Sequence, residues 1–198
     1  MKTVFLHGLG QGPEAWRQVL QGFGEKDAMC PNLYGLTSRE LSYERLLGGL
    51  ERCLKMTDAP LRLCGLSLGA MLALDYTIRH SDRVAELVLI GAQVKSPTRL
   101  IDAQNMIFRL LPARAFSLMG ISKQDVMSLT RSMRSLDFSD KLGKISCPVT
   151  IVIGQRDRAN RKAAEALHQL LPQSTLHIIP GAGHEVNLDA PQALVNIL

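Results

Sequence analysis

The chain has 198 residues, 46% of them apolar and 21% charged. That length points to one domain, and that balance excludes disordered, collagen-like and coiled-coil classes. Its formal charge of +5 fits an anionic partner or none at all, and only the distribution of charge along the chain can bear on the choice.

In chain order, short β-branched and apolar runs alternate with longer segments of helical spacing, the pattern of βα units around a parallel sheet. Strands are expected at Thr3–Leu6, weakly at Asp27–Cys30, then at Leu61–Cys64, Ala85–Ile90, Val149–Ile153 and Thr175–Ile179. Helices are expected at about 13–22, 40–55, 68–80, 159–171 and 187–198. Pro13 and Pro191 suit a first helical turn, and Pro172 acts as a stop after Leu171. The runs Leu87–Ile90 and Val149–Ile153 are almost continuously apolar, as in a sheet covered on both faces.

One segment breaks the rhythm. Residues 94–146 have helical spacing and no convincing strand, far more chain than a simple crossover needs. The expectation is therefore a single domain over residues 1–198 with a helical lid inserted at 94–146. Met106, Phe108, Leu110, Leu111, Phe116, Leu118, Met119, Met127, Met133 and Phe138 give this lid more apolar surface than one outward layer can hide. Packing onto the core and lining a substrate cavity both account for that excess.

No stretch approaches the roughly 18 apolar residues that span a bilayer, and Val4-Phe5-Leu6 is too short for a secretory signal. A cytoplasmic protein without a membrane partner is expected. Cys30, Cys53, Cys64 and Cys147 form no C-x-x-C pair, so reduced, mostly buried thiols are expected and no metal site.

The chemistry concentrates in four glycine-flanked loops, each after an expected strand: His7-Gly8-Leu9-Gly10, Gly65-Leu66-Ser67-Leu68-Gly69, Gly154-Gln155-Arg156-Asp157 and Gly181-Ala182-Gly183-His184. In an open parallel sheet such loops converge on one crevice at the carboxyl ends of the strands. The second has the form G-x-S-x-G, a sharp strand-to-helix turn that would raise Ser67 alone above the sheet at a helix N-terminus. A serine hydroxyl needs a base, and the base needs a group that fixes its tautomer. Of the five histidines, only His184 lies in a loop after the last strand; His7 suits loop positioning, and His80, His168 and His177 fall in regular elements. Asp157 ends a strand in a G-x-x-D turn, where capping the next helix is its other use, and Asp189 is a poorer candidate. The order Ser67, Asp157, His184 fits this architecture. Backbone N–H groups of Leu9 and Leu68 can form an oxyanion hole. No phosphate-binding glycine pattern is present.

These four ordered motifs resemble the α/β-hydrolase fold superfamily, and within it the small lidded carboxylesterase-like serine hydrolases, over nearly the whole chain. The resemblance implies a nucleophile at Ser67, an acid at Asp157, a base at His184, oxyanion donors at Leu9 and Leu68, and no metal or organic cofactor. Members usually carry an extra β-hairpin before H-G-x-G, whereas six residues precede His7 here, which implies a sheet of about six mostly parallel strands. Menaquinone-synthesis members carry an arginine soon after the nucleophile, where this chain reads Gly69-Ala70-Met71-Leu72. A serine in place of an aspartate disfavours epoxide hydrolase and dehalogenase chemistry.

The expected function is cleavage of a small-molecule carboxylic ester or thioester through an acyl-enzyme on Ser67. A lyase, an acyltransferase or a non-catalytic sensor on the same fold are the alternatives. Residues 93–146 hold nine basic and four acidic residues, so the whole excess of +5 lies in the lid. A solvated helix face explains it, and so does attraction of an anionic ester substrate. A nucleic-acid partner is not expected, and monomer and homodimer stay equally open.

Overall fold

A computed structural model describes residues 1–24, 28–57, 60–117 and 120–198. Its strands are β1 (Lys2–Leu6), β2 (Ala28–Met29), β3 (Leu61–Leu66), β4 (Val84–Ile90), β5 (Val149–Gly154) and β6 (Thr175–Ile179). They form one six-stranded sheet in the order β2-β1-β3-β4-β5-β6, with every neighbouring pair parallel. The chain winds outward from β1 in both directions, so the switch point lies between β1 and β3, where a crevice opens at the strand ends. Register there sets Phe5 beside Cys64 and Leu6 beside Gly65, which brings the loops after β1 and β3 side by side.

Alternation along the strands feeds two apolar layers. On one face Val4, Leu6, Leu87, Leu89, Ile151 and Ile153 pack with α2 (Tyr43–Lys55), α3 (Leu68–Arg79) and α7 (Arg158–Leu170). On the other, Phe5, Cys64, Val88, Ile90 and Val152 meet α1 (Arg17–Phe23) and the C-terminal helices. Phe5 anchors this second layer against Trp16, at 5.1 Å between ring centroids. The start of α2 is fixed by Ser42, whose side chain accepts from the Arg45 N–H. Helix α3 is buried along almost its entire length, as befits a helix covered by both the sheet and its neighbours.

Three expectations change. The first helix begins with a 3-10 turn, Pro13–Trp16, before α1. The helix expected at 187–198 is two short ones, α8 (Val186–Asp189) and α9 (Pro191–Val195), because Ala190 precedes a proline and is held out of the helical region at φ −146°. Of the four cysteines only Cys64 is fully buried; Cys30, Cys53 and Cys147 are half-buried, and all four are free thiols. Burial pushes the Cys30 thiol up to about 12, so it is inert at neutral pH. The weak strand survives as β2, while Asp27 lies outside the described residues.

Between β4 and β5 come α4 (Thr98–Leu110), α5 (Ala113–Ser117), α6 (Lys123–Ser132) and a 3-10 stretch, Ser139–Lys144. The two ends of the segment are tied to each other where Ser96 N–H donates to Leu136 C=O and Phe138 N–H to Val94 C=O. Its apolar residues divide. Phe116 and Phe138 are buried, whereas Met106 and Leu110 are 67% and 84% exposed, so neither packing nor cavity lining accounts for those two. Leu118 and Met119 lie outside the described residues. Among the described residues, no helix is long and apolar enough to cross a membrane.

Candidate active site

Ser67 is the only non-glycine residue with positive φ among the described residues, at φ 52° and ψ −110°. Such a conformation costs about 1–3 kcal/mol and persists only where the surroundings dictate it. Here they do: Ser67 N–H donates to Ile90 C=O at 2.9 Å, tying the turn to the end of β4. A Cβ at Gly65 would run into the Gly69 carbonyl, and one at Gly69 into the Leu6 carbonyl of β1. The two glycines of G-x-S-x-G are thus required by close backbone approach, and the turn lifts Ser67 to the mouth of α3.

His184 and Asp157 come from the next two loops. His184 Nδ1 lies 2.6 Å from Asp157 Oδ2, with the carboxylate side chain 4% exposed and the imidazole 38% exposed. The carboxylate can only accept, so the proton sits on Nδ1 and Nε2 is left as a free acceptor. The two loops are locked together: Arg156 N–H donates to Ala182 C=O at 2.8 Å, and Gly181 N–H donates to Gln155 Oε1 at 3.0 Å. Within the histidine loop, Gly183 N–H donates to Asp189 Oδ2 at 2.6 Å. Asp189, the weaker sequence candidate for the acid, therefore holds the histidine loop and does not touch the imidazole.

Asp157 serves two ends at once. Its Oδ1 caps α7 by accepting from the Asn160 N–H at 3.3 Å, so the capping role and the histidine contact coexist. The Asn160 side-chain amide donates to both carboxylate oxygens, at 2.8 and 2.9 Å, and its own Oδ1 accepts from Gln93 Nε2 at 2.6 Å. Sequence reasoning missed Asn160 and Gln93. Asn160 had a local signal, lying three residues after a capping aspartate; Gln93 had none.

The loop after β1 is held from a distance. Tyr34 Oη accepts from Gly10 N–H at 2.8 Å and donates toward Gly8 C=O at 3.5 Å, bracketing Leu9. Burial pushes the Tyr34 phenol up to about 12, so it stays neutral. His7 is fully buried, accepts from Leu33 N–H at 3.0 Å through Nε2 and faces Gly8 C=O through Nδ1. Burial lowers its pKa, keeping the ring neutral in this structural role. No hydrogen bond to the Leu9 N–H is formed among the described residues, and Leu68, first in α3, has no intrahelical acceptor.

Leu9, Ser67, Leu68 and His184 all line one cavity of about 420 Å³, within the range of small-molecule sites. Its roof comes from the inserted helices, through Ile101, Phe108, Phe116, Val126 and Met133. Phe108 and Phe116 meet edge to face, 5.5 Å apart. Among the described side chains no lysine or arginine lines it. Part of the inserted segment's positive charge is instead used locally: Lys95 pairs with Asp137 at 2.9 Å and Arg134 with Asp102 at 2.8 Å. Lys123 Nζ donates to the Arg109 and Leu111 carbonyls at 2.8 Å each, capping the C-terminus of α4. Among the described residues, no group of three or more His, Cys, Asp or Glu side chains could hold a metal ion.

Comparison with known proteins agrees with this architecture. The model of the alpha/beta hydrolase family matches residues 3–197. An esterase of Mycobacterium tuberculosis is 24% identical over the whole chain and 81% of its own length. A pimeloyl-[acyl-carrier protein] methyl ester esterase of Aromatoleum aromaticum is 34% identical over 48% of this chain and 39% of its own. Among solved structures, the enol-lactonase of Burkholderia xenovorans superposes with a TM-score of 0.83 at 17% identity, covering 98% of this chain and 88% of its own.

Proposed function

The chain belongs to the alpha/beta hydrolase family, and from that premise we propose that it is a serine hydrolase that cleaves a small carboxylic ester or thioester through an acyl-enzyme on Ser67. The observation that carries this reading is the 2.6 Å contact of His184 Nδ1 with a buried carboxylate, in the cavity where Ser67 stands on a strained turn.

The steps follow from the groups present. His184 Nε2 takes the Ser67 proton as Oγ attacks the carbonyl carbon, and Asp157 stabilises the imidazolium that forms. The N–H groups of Leu9 and Leu68 receive the oxyanion, which is stronger there than in water because the cavity is apolar. The imidazolium then protonates the leaving alcohol or thiol. Water, deprotonated by the same imidazole, attacks the acyl-Ser67 ester and returns Oγ–H. Asn160 and Gln93 hold the carboxylate in place through both steps. The inserted helices act as the lid that closes the apolar cavity over the acyl chain.

Tyr34 gives this assignment a handle away from the reacting atoms. Tyr34→Phe removes the hydroxyl bracketing Leu9 and is expected to lower kcat about tenfold with KM little changed, since an oxyanion contact matters in the transition state only. Steady-state kinetics on an aryl ester checks this; an unchanged kcat would remove Leu9 from the oxyanion hole.

The substrate class is tested with aryl esters from acetyl to decanoyl. A roof of Phe108, Phe116 and Met133 over about 420 Å³ predicts best turnover with short to medium acyl chains and a fall at decanoyl. Activity confined to C–C bond cleavage would favour a lyase, and binding without turnover of any ester would favour a sensor. Among the described side chains no lysine or arginine lines the cavity, so a preference for anionic esters is expected to come from the outer surface of the lid and to be lost at high salt.

A further inference from the structure

Most polar side chains of the cavity wall are already committed. Gln93 and Asn160 bond to each other, Thr130 Oγ1 lies 2.6 Å from Asn105 Oδ1 and 2.8 Å from the Val126 carbonyl oxygen, and Glu185 accepts from Gln11 at 2.8 Å. Ser96 is different. It is 4% exposed, its Oγ is buried without a hydrogen-bond partner, and it lines the same cavity as Ser67. Gln104 of α4 lines the cavity as well, half-buried and without a side-chain partner among the described residues. Interiors rarely tolerate an unpaired hydroxyl, because it forgoes the hydrogen bonds water would give it.

We infer that Ser96 and Gln104 recognise a neutral oxygen, a hydroxyl or a carbonyl, carried on the substrate's acyl chain away from the scissile carbonyl. The inference rests on the ester-hydrolase reading above and narrows its substrate class. A hydroxyl and an amide each donate and accept, so the pair suits either form of neutral oxygen. A carboxylate does not fit. Among the described side chains no lysine or arginine lines the cavity, whereas Glu185 does, and an unpaired buried charge is far costlier than an unpaired hydroxyl. Apart from Thr130, whose hydroxyl is already hydrogen-bonded, the remainder of the roof is apolar, through Ile101, Phe108, Phe116, Val126 and Met133, which suits the methylenes on either side of that oxygen.

The test uses Ser67→Ala, in which esters remain ligands and no turnover is needed. Calorimetry compares methyl hexanoate, its 3-hydroxy and 5-oxo derivatives, and monomethyl adipate, whose far end is a carboxylate. At least one oxygenated ester is expected to bind about tenfold tighter than methyl hexanoate, and monomethyl adipate weaker than either derivative. The preference should collapse toward unity in Ser67→Ala/Ser96→Ala, and fall in Ser67→Ala/Gln104→Leu, which keeps the test available if the Ser96 variant folds poorly. No preference for oxygen, a preference indifferent to both substitutions, or tightest binding of the carboxylate would each overturn the inference. Turnover of plain aryl esters by the unaltered protein reports separately on the hydrolase reading, so the two can fail independently.

Discussion

Asp157→Asn is expected to lower kcat on aryl esters by on the order of 10⁴ while leaving the fold intact. The two consequences separate because Asp157 has two jobs. An asparagine keeps an oxygen that accepts from the Asn160 N–H, so α7 keeps its cap. Its neutral amide cannot stabilise an imidazolium, and its NH₂ competes with the Nδ1–H that now faces a carboxylate. Asp157→Ala removes both jobs and should add a loss of about 1 kcal/mol in stability. Steady-state kinetics and thermal denaturation on the two variants make the comparison. If Asp157→Asn retained activity within tenfold, the aspartate would be a helix cap and nothing more.

How far the sequence reaches can be judged from particular residues. The β6 strand, Thr175–Ile179, is read with its observed bounds because the β-branched run stands between turn-forming residues, even though most of its side chains are exposed. Ser67, Asp157 and His184 were legible because each sits in a short loop directly after a strand, and parallel topology carries those loops to one edge. The structure brings Asp157 and His184 into contact and sets Ser67 in the same cavity wall. Tyr34 was not legible: its partners Gly8 and Gly10 lie 26 and 24 residues away in sequence, and no local pattern encodes that bond. Periodicity also overstated burial in α4, where Met106 and Leu110 follow helical spacing yet face outward. Spacing assigns residues to a stripe, but whether a partner covers that stripe is settled by tertiary packing. Ser96 illustrates the same limit, since only its surroundings reveal that its hydroxyl has no partner.

Ser67→Ala carries the largest expected effect, a fall in kcat on the order of 10⁵ to 10⁶, because base and oxyanion donors have nothing to act on without the hydroxyl. The variant should fold normally. Alanine occupies the same positive φ at similar cost, and the tie from the residue 67 N–H to Ile90 C=O is a backbone bond that survives the change. Loss of turnover alone would leave open whether Ser67 attacks the substrate or only orients it.

Covalent trapping decides that question. The protein is treated with a fluorophosphonate, digested, and the peptide carrying Ser67 is weighed by mass spectrometry. The account predicts one phosphonyl group on Ser67, complete loss of esterase activity in step with labelling, and no label in Ser67→Ala. Full ester turnover with Ser67 unmodified, or a label carried by another residue, would contradict it.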